Sequence, residues 1–85
     1  MSERLTIENV RERCANLNRR MEQHGSSIRY QVERRYDYTA LDRCRFGKNG
    51  DLYPIGSPVR IGTKNEIGEI IWAMMNALDD AETRA

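Results

Sequence analysis

The sequence predicts an α+β domain with one helix at each end of a short antiparallel sheet. Two patterns lead to this prediction. Apolar residues recur at spacings of three and four near both termini, as in amphipathic helices, and they alternate with polar residues in the middle, as in half-buried strands. A chain of 85 residues is long enough for one hydrophobic core and too short for two. We therefore expect one domain, residues 1–85, with an ordered core over residues 5–80.

The first helix is predicted to run from about Thr6 to His24. Its apolar stripe consists of Ile7, Val10, Cys14, Leu17 and Met21. Thr6 suits the N-cap position because its hydroxyl accepts a hydrogen bond from a backbone N–H group that has no partner in the helix. Gly25 stands where helices commonly end in the left-handed conformation. The residues that follow it, Ser26 and Ser27, complete a turn into the sheet.

Three β strands are predicted next, or four if the last is divided. Residues 28–33 alternate apolar and polar side chains, and residues 38–46 do so with an interruption at Leu41 and Asp42 that a bulge near Leu41 would explain. Residues 47–51, Gly-Lys-Asn-Gly-Asp, are the strongest turn signal in the chain and predict a hairpin loop. The last β segments are residues 52–55 and 59–61, interrupted by Pro54, Gly56 and Pro58. Since proline cannot donate to a ladder, we expect an irregular edge strand here.

The second helix has the clearest start in the chain. Thr63 and Glu66 have the spacing of a capping box, and a periodic apolar run follows to about Ala81. Its core stripe is Ile67, Ile70, Ile71, Met74, Met75 and Leu78. Short antiparallel connections leave both helices free to cover one face of the sheet. We expect the other face to be wet and rich in arginine, with Arg29, Gln31, Glu33, Arg43, Arg45 and Arg60 on it.

Composition and charge restrict the class of protein. The net charge is +1, but it is unevenly distributed along the chain. Residues 1–18 sum to zero, residues 19–64 to +5 and residues 65–85 to −4. The sequence contains neither an apolar run of about 18 residues nor the apolar segment of a signal peptide, so we expect a soluble, cytoplasmic protein that has no membrane partner. Cys14 and Cys44 lack the spacing of a metal or disulfide motif and are interpreted as reduced, buried residues.

Enzyme chemistry finds no support in the residue types and their spacing. His24 is the only histidine, and it lies about 15 Å along the helix from Cys14, on a different face. The one dense acidic group, Asp79, Asp80 and Glu82, does not have the spacing of a calcium loop. No phosphate-binding or dinucleotide motif is present. We therefore expect a protein that is not an enzyme and that uses no cofactor or metal.

Trp72 is the most informative single residue. It lies off the centre of the apolar stripe of the second helix, on the flank that also carries Gly68 and Met75. Glycine in a helix costs about 1 kcal/mol relative to alanine, so Gly68 indicates the close approach of another element or of a partner. Trp72 and Met75 are our first candidates for a surface that binds a protein or a second copy, with Arg29, Arg43, Arg45 and Arg60 as candidates for contact with an acidic partner.

Two resemblances extend these expectations. The order helix, three strands, helix resembles a double-stranded-RNA-binding domain, with Gly62, Thr63 and Lys64 opening the last helix and Ala77 and Leu78 near its end. That family grips phosphates with a lysine cluster at this helix start. Lys64 matches the cluster, and Asn65 and Glu66 occupy the neighbouring positions. The run IGTKNEIGEIIWAMMNAL, residues 61–78, is similar to small proteins of phages and prophages.

The function that we expect is that of a non-enzymatic protein-binding module. The second resemblance implies a phage or mobile-element accessory protein that inhibits a host complex by covering its surface, in the manner of an anti-CRISPR protein. One alternative is a nucleic-acid-binding protein that uses the sheet arginines and Lys64, since arginine matches phosphate oxygens. Another alternative is a structural homodimer joined through the second helix.

Overall fold

A computed structural model describes the backbone of residues 4–84 and the side chains of residues 4–80. Six elements follow one another along the chain: α1 (Ile7–Gln23), β1 (Ile28–Arg34), β2 (Thr39–Phe46), β3 (Leu52–Pro54), β4 (Arg60–Gly62) and α2 (Lys64–Arg84). The strands form one antiparallel sheet. The predicted α+β class, with a divided last strand, is confirmed.

The capping residues explain where the helices begin and end. The hydroxyl of Thr6 accepts from the backbone N–H of Asn9, whose side chain accepts from the Thr6 N–H in return. Thr63 and Glu66 make the same reciprocal pair at the start of α2, as predicted. Gly25 has a φ of 76° just after α1, a conformation that costs glycine little.

The central strand of the sheet is β2. Its whole length pairs with β1, from Ile28 opposite Arg45 to Arg34 opposite Thr39, without interruption. On its other side, β3 pairs with the end of β2 and β4 pairs with its beginning. Between these two strands, residues 55–59 lie opposite only two residues of β2. The irregularity therefore lies in the segment that joins β3 to β4. The bulge that was expected near Leu41 is absent from β2, which pairs with β1 without a break.

Both helices cover one face of the sheet. They run in the same direction, since Leu5 N–H donates to Asn65 Oδ1 at 3.0 Å near one end and Arg20 pairs with Asp79 near the other. The core between the layers consists of Leu5, Val10, Cys14, Leu17, Leu41, Ile67, Ile71 and Met75. Leu41 is fully buried and is the residue by which β2 takes part in this core.

The burial of Leu41 decides which way every side chain of β2 points. Because successive residues of a strand alternate between faces, Arg43 and Arg45 lie on the helix side with Leu41. Arg60 is opposite Leu41 and shares that side. The prediction that these three arginines share the open face with Arg29 is wrong. The side chains of β2 on the open face are Ala40, Asp42, Cys44 and Phe46.

Candidate protein-interaction surfaces

Trp72 lies on the outer surface of the helix layer with 54% of its area exposed. The guanidinium carbon of Arg13, on α1, is 5.3 Å from the centre of the indole ring, which is within cation–π distance. Arg13 also donates from Nη1 to the backbone oxygen of Gly68 at 3.1 Å. This hydrogen bond holds the guanidinium in place over the indole ring. The ring is therefore held in one orientation, although half of its surface is exposed.

A groove of about 350 Å³ opens beside this tryptophan, between the two helices. It is lined by Asn16, Arg19, Arg20, Gln23, Trp72 and Met75. Met75 is only 6% exposed and belongs to the core, so it forms the floor of the groove and adds little free surface. The exposed part of the predicted Trp72 and Met75 patch is therefore Trp72 together with polar residues of α1. We call these lining residues the Trp72 groove.

Gly68 is explained by contacts within the chain. A Cβ atom at this position would collide with Cδ1 of Leu5 and would lie 3.5 Å from Cγ2 of Val10. Leu5 is itself buried, and its backbone N–H is bound to α2. The glycine thus makes room for the segment before α1 and is no sign of an external partner.

The open face of the sheet carries exposed apolar side chains. Phe46 and Ile61 are 48% and 51% exposed. Ile61 is opposite Ala40 in the ladder, so the two share this face. The guanidinium of Arg29 lies over the ring of Phe46, 5.2 Å from its centre. We call this surface, formed by Arg29, Asp42, Phe46, Ile61 and the small residues between them, the open-face patch.

Asp42 is the unusual member of the open-face patch. Its side chain is 96% buried, since only 4% of the residue is exposed. Within the described part of the chain, no group donates a hydrogen bond to its Oδ2 atom. The neighbouring thiol of Cys44 has a raised pKa because it is buried and because the Asp42 charge disfavours a second negative charge. A buried carboxylate oxygen without a donor costs the fold free energy, so Asp42 is an exception to the usual pairing of buried polar groups.

Neither thiol has the environment of a nucleophile. Burial raises the pKa of Cys14 to about 11, and the nearby Cys44 adds to the shift. Sγ of Cys14 contacts the backbone oxygen of Tyr30 at 3.2 Å, and this contact also keeps it directed into the protein. Both cysteines are free and buried. Thiolate populations at neutral pH are therefore small.

The four predicted sheet arginines are dispersed. Arg29 is on the open face, where its Nη1 donates to the backbone oxygens of Ser26 and Ile28 at 2.7 and 2.8 Å. Arg60 lies 3.8 Å from the Glu66 carboxylate on the helix side. Arg43 and Arg45 are exposed on that same side. They do not form one continuous basic face with Arg29.

A different basic cluster forms where β1 turns into β2. Arg34, Arg35, Tyr36 and Lys64 are among the residues that line a cleft of about 210 Å³ beside the start of α2. The side chain of Tyr36 is fully exposed at the edge of this cleft. Arg35 is partly neutralised, since it pairs with Glu33 at 3.1 Å. Of the predicted nucleic-acid residues, Lys64 is the one that the fold places here.

Sequence reasoning missed the partners of Trp72 and the burial of Asp42. Arg13 is 59 positions from Trp72 and reaches it only because the helices run parallel. One signal was available for Asp42: it is an acidic residue that directly follows Ala40 and Leu41 in a predicted strand. A charge at a core position of a strand is a departure that often has a function.

The sequence and the structure were compared with protein families, curated proteins and solved structures. No protein-family model, no curated protein and no solved structure matches this chain. Among the described residues, no group of three or more His, Cys, Asp or Glu side chains is placed to hold a metal ion. No helix in the described part is long and apolar enough to cross a membrane.

Proposed function

We propose that this chain is a non-enzymatic protein-binding module and that it binds its partner through the Trp72 groove. The half-exposed indole of Trp72, held under Arg13, is the observation on which the proposal rests. Tryptophan and arginine are the residue types that most often dominate binding energy at protein interfaces. An indole that is already oriented loses little conformational entropy when a partner covers it.

The chemistry of the Trp72 groove indicates the kind of partner. Arg19 and Arg20 line the groove beside the indole, and Arg20 is paired with Asp79. A partner that presents an apolar side chain next to a carboxylate would cover the indole and bind Arg19, which has no ion pair among the described residues. The amide side chains of Asn16 and Gln23 add hydrogen-bonding groups at the rim.

The more specific form of this proposal is an accessory protein of a phage or mobile element. In that role, binding would cover the surface of a host complex in the host cytoplasm and inhibit it, as an anti-CRISPR protein does. It follows the expectation from the sequence that residues 61–78 resemble small phage proteins.

The test is affinity capture from a lysate of the natural host, with nuclease treatment, followed by mass spectrometry. The wild type is compared with Trp72→Ala and with Tyr36→Ala, a matched control that truncates an exposed aromatic residue elsewhere. We expect a stoichiometric protein that is lost with Trp72→Ala and retained with Tyr36→Ala. Retention by a folded Trp72→Ala variant would remove the groove from the proposal, and circular dichroism verifies that both variants fold.

A second candidate function is nucleic-acid binding at the cleft of Arg34, Arg35, Tyr36 and Lys64. Fully exposed Tyr36 could stack on a base while the cations contact phosphates. Arg29, Arg43, Arg45 and Arg60 are too dispersed to act as a single face and would add at most general positive charge. The same two variants distinguish the candidates, since here Tyr36→Ala weakens binding and Trp72→Ala does not. The affinity should also fall steeply with salt.

A further inference from the structure

A second groove between the helices is separate from the Trp72 groove. It lies where the second halves of α1 and α2 meet β1, and its volume is about 330 Å³. It is lined by Leu17, Met21, Tyr30, Met74, Ala77 and Leu78. We call these six residues the Met74 groove. The two grooves have no lining residue in common, so they are two different surfaces.

The Met74 groove is apolar, and the fold leaves it open. The hydroxyl of Tyr30 is the one side-chain oxygen or nitrogen atom among its six residues. Its two methionines and Leu78 are only partly buried although they pack against the core, and Ala77 is exposed. Methionine side chains are flexible and adapt to the shape of an apolar ligand. A ligand in this groove therefore gains hydrophobic contacts and few hydrogen bonds.

This lining restricts the class of ligand. An extended peptide would lose the water bound to its backbone N–H and C=O groups and would find almost no partner for them here, which costs free energy. An α-helix satisfies its own backbone, but it is about 10–12 Å across with its side chains and would lie over a groove of this volume. A hydrocarbon chain is narrow and has no polar groups to satisfy. The lining and the volume therefore favour an acyl chain.

Two arginines lie beside the floor of the Met74 groove. Arg43 is directly opposite Tyr30 in the ladder, and Arg45 is opposite Ile28, the preceding residue of β1 on that face. Directly opposite residues have Cβ atoms about 4.5–5.5 Å apart, so the guanidinium of Arg43 lies within a side-chain length of the Tyr30 ring. Both arginines are exposed, because the second half of α2 does not cover them.

The charge of these two arginines is not neutralised by the fold. Neither Arg43 nor Arg45 forms an ion pair within the described part of the chain. Asp79, near the end of α2, is paired with Arg20, which lines the Trp72 groove. An apolar groove with unpaired cations beside it is complementary to a ligand that joins a hydrocarbon chain to an anionic head group.

We infer that the Met74 groove binds a single-chain anionic amphiphile of the fatty-acid class. The acyl chain lies in the groove, and Arg43 and Arg45 bind the carboxylate, whose two oxygens match the N–H groups of a guanidinium. The inference goes beyond the proposed function and does not depend on it, because no residue of the Trp72 groove takes part.

Isothermal titration calorimetry tests the class of ligand. Octanoate, decanoate and dodecanoate, each below its critical micelle concentration, should bind up to about fourfold more tightly for every added methylene that the groove buries. Dodecyltrimethylammonium has a chain of the same length as dodecanoate and a cationic head group. It should bind about fivefold more weakly or worse, since it gains nothing from the arginines. Equal binding of the two amphiphiles would contradict the role of the charge.

Charge variants test the head-group contact. Arg43→Gln and Arg45→Gln should each weaken dodecanoate binding about two- to fivefold, the range for exposed ion pairs, and should not weaken binding of dodecyltrimethylammonium. Arg34→Gln is the matched control, because Arg34 is exposed on the same side of the sheet at the far end of β1. It should keep the wild-type affinity.

A filled groove tests the position of the chain. Ala77→Trp places an indole in the Met74 groove and should abolish dodecanoate binding, whereas Ala73→Trp makes the same change one turn earlier on exposed surface and should not. Nuclear magnetic resonance of the wild type locates the ligand without any substitution. Dodecanoate should shift the methyl signals of Met21 and Met74 and leave the indole N–H signal of Trp72 in place.

Several results would overturn the inference. A wild type that binds no dodecanoate is one, and methyl signals of Met21 and Met74 that do not move are another. A folded Ala77→Trp variant that still binds, as verified by circular dichroism, is a third. Cosedimentation with phosphatidylglycerol vesicles without binding of free dodecanoate would assign the arginines to a lipid surface instead. Partner capture is tested with Trp72→Ala, so its failure is distinguishable from failure of amphiphile binding.

Discussion

The side-chain amide of Asn18 binds both backbone groups of Tyr30. Nδ2 of Asn18 donates to the Tyr30 carbonyl at 2.8 Å, and its Oδ1 accepts from the Tyr30 N–H at 2.7 Å. Tyr30 lies in β1, an edge strand of the sheet, so these two groups would otherwise be open to pairing with another chain. A helix side chain thus takes the place of a missing neighbouring strand at one position.

We expect Asn18→Ala to lower the free energy of unfolding by about 1–3 kcal/mol, because it leaves the partly buried N–H of Tyr30 without its partner and leaves the Tyr30 carbonyl with only the Cys14 thiol. Urea unfolding followed by circular dichroism measures the change. Asn16→Ala, the same substitution two positions earlier in α1, corrects for helix propensity and should stay within about 0.5 kcal/mol of the wild type. Equal effects of the two substitutions would show that the Asn18 amide adds nothing to stability.

Gly68→Ala should fail to stabilise α2. Alanine ordinarily improves a helix interior by about 1 kcal/mol over glycine. Here, the new methyl group displaces the buried side chain of Leu5, whose burial is worth about 1.5–3 kcal/mol, so the net effect should be destabilising. The control is the double-mutant cycle with Leu5→Ala, in which Gly68→Ala should gain the ordinary stabilisation. Additive effects would contradict the contact.

The capping box of α2 should give the protein a defined acid sensitivity. The backbone N–H of Thr63 donates to the Glu66 carboxylate, and this bond, aided by the Thr63 hydroxyl and by Arg60, lowers the pKa of Glu66 from its ordinary 4.5. A carboxyl whose folded pKa is depressed stabilises the fold above its unfolded pKa, and that stabilisation is lost as the pH falls through the folded value.

We therefore expect stability to decrease below pH 4.5 in the wild type, and to decrease less steeply in Glu66→Gln. Thermal unfolding at a series of pH values measures this. Glu69→Gln removes one charge from an exposed site on the same helix and should keep the wild-type slope. If Glu66→Gln and Glu69→Gln behave alike, the box makes no electrostatic contribution.

Cys14 should react slowly with thiol reagents. Burial, with a smaller contribution from Cys44, raises its pKa to about 11 from 9.0, so its thiolate is scarce at pH 8. Modification by a disulfide reagent in the Cys44→Ser background should be far slower in the folded protein than in urea. Because the raised pKa favours the protonated thiol, stability should be complete below pH 9 and decrease as the pH rises toward 11. Rapid native modification at pH 8 would contradict this environment.

Local signals in the sequence were sufficient to predict where the helices, strands and turns lie along the chain. Thr63 and Glu66 formed the predicted capping box, Gly25 adopts the left-handed conformation, and the loop of residues 47–51 joins β2 to β3. These features depend on groups a few positions apart in the chain, so their geometry is set within one turn. Pro54 and Pro58 likewise marked the place where the last strand divides.

The orientation of β2 could not be obtained in this way. Ala40, Cys44 and Phe46 are in phase with one another, and the sequence favoured their face as the buried one, whereas Leu41 on the other face is the residue that meets the helices. A strand with apolar residues on both faces has no unambiguous period of two. Since its direction was misassigned, Arg43 and Arg45 were placed on the wrong side of the sheet, and Asp42 was interpreted only as a break in the phase of the strand.

The sequence by itself determined the helix and strand order, the caps and turns, and the position of Trp72 at the margin of the core stripe. Only the tertiary structure decided what surrounds Trp72, why position 68 is glycine, and which side chains share the open face with Asp42. The physical reason is the range of the interactions. Caps, turns and periodicity involve residues within about one helical turn of each other. The pairing of Arg13 with Trp72, of Leu5 with Gly68 and of Arg29 with Phe46 depends on how whole elements pack.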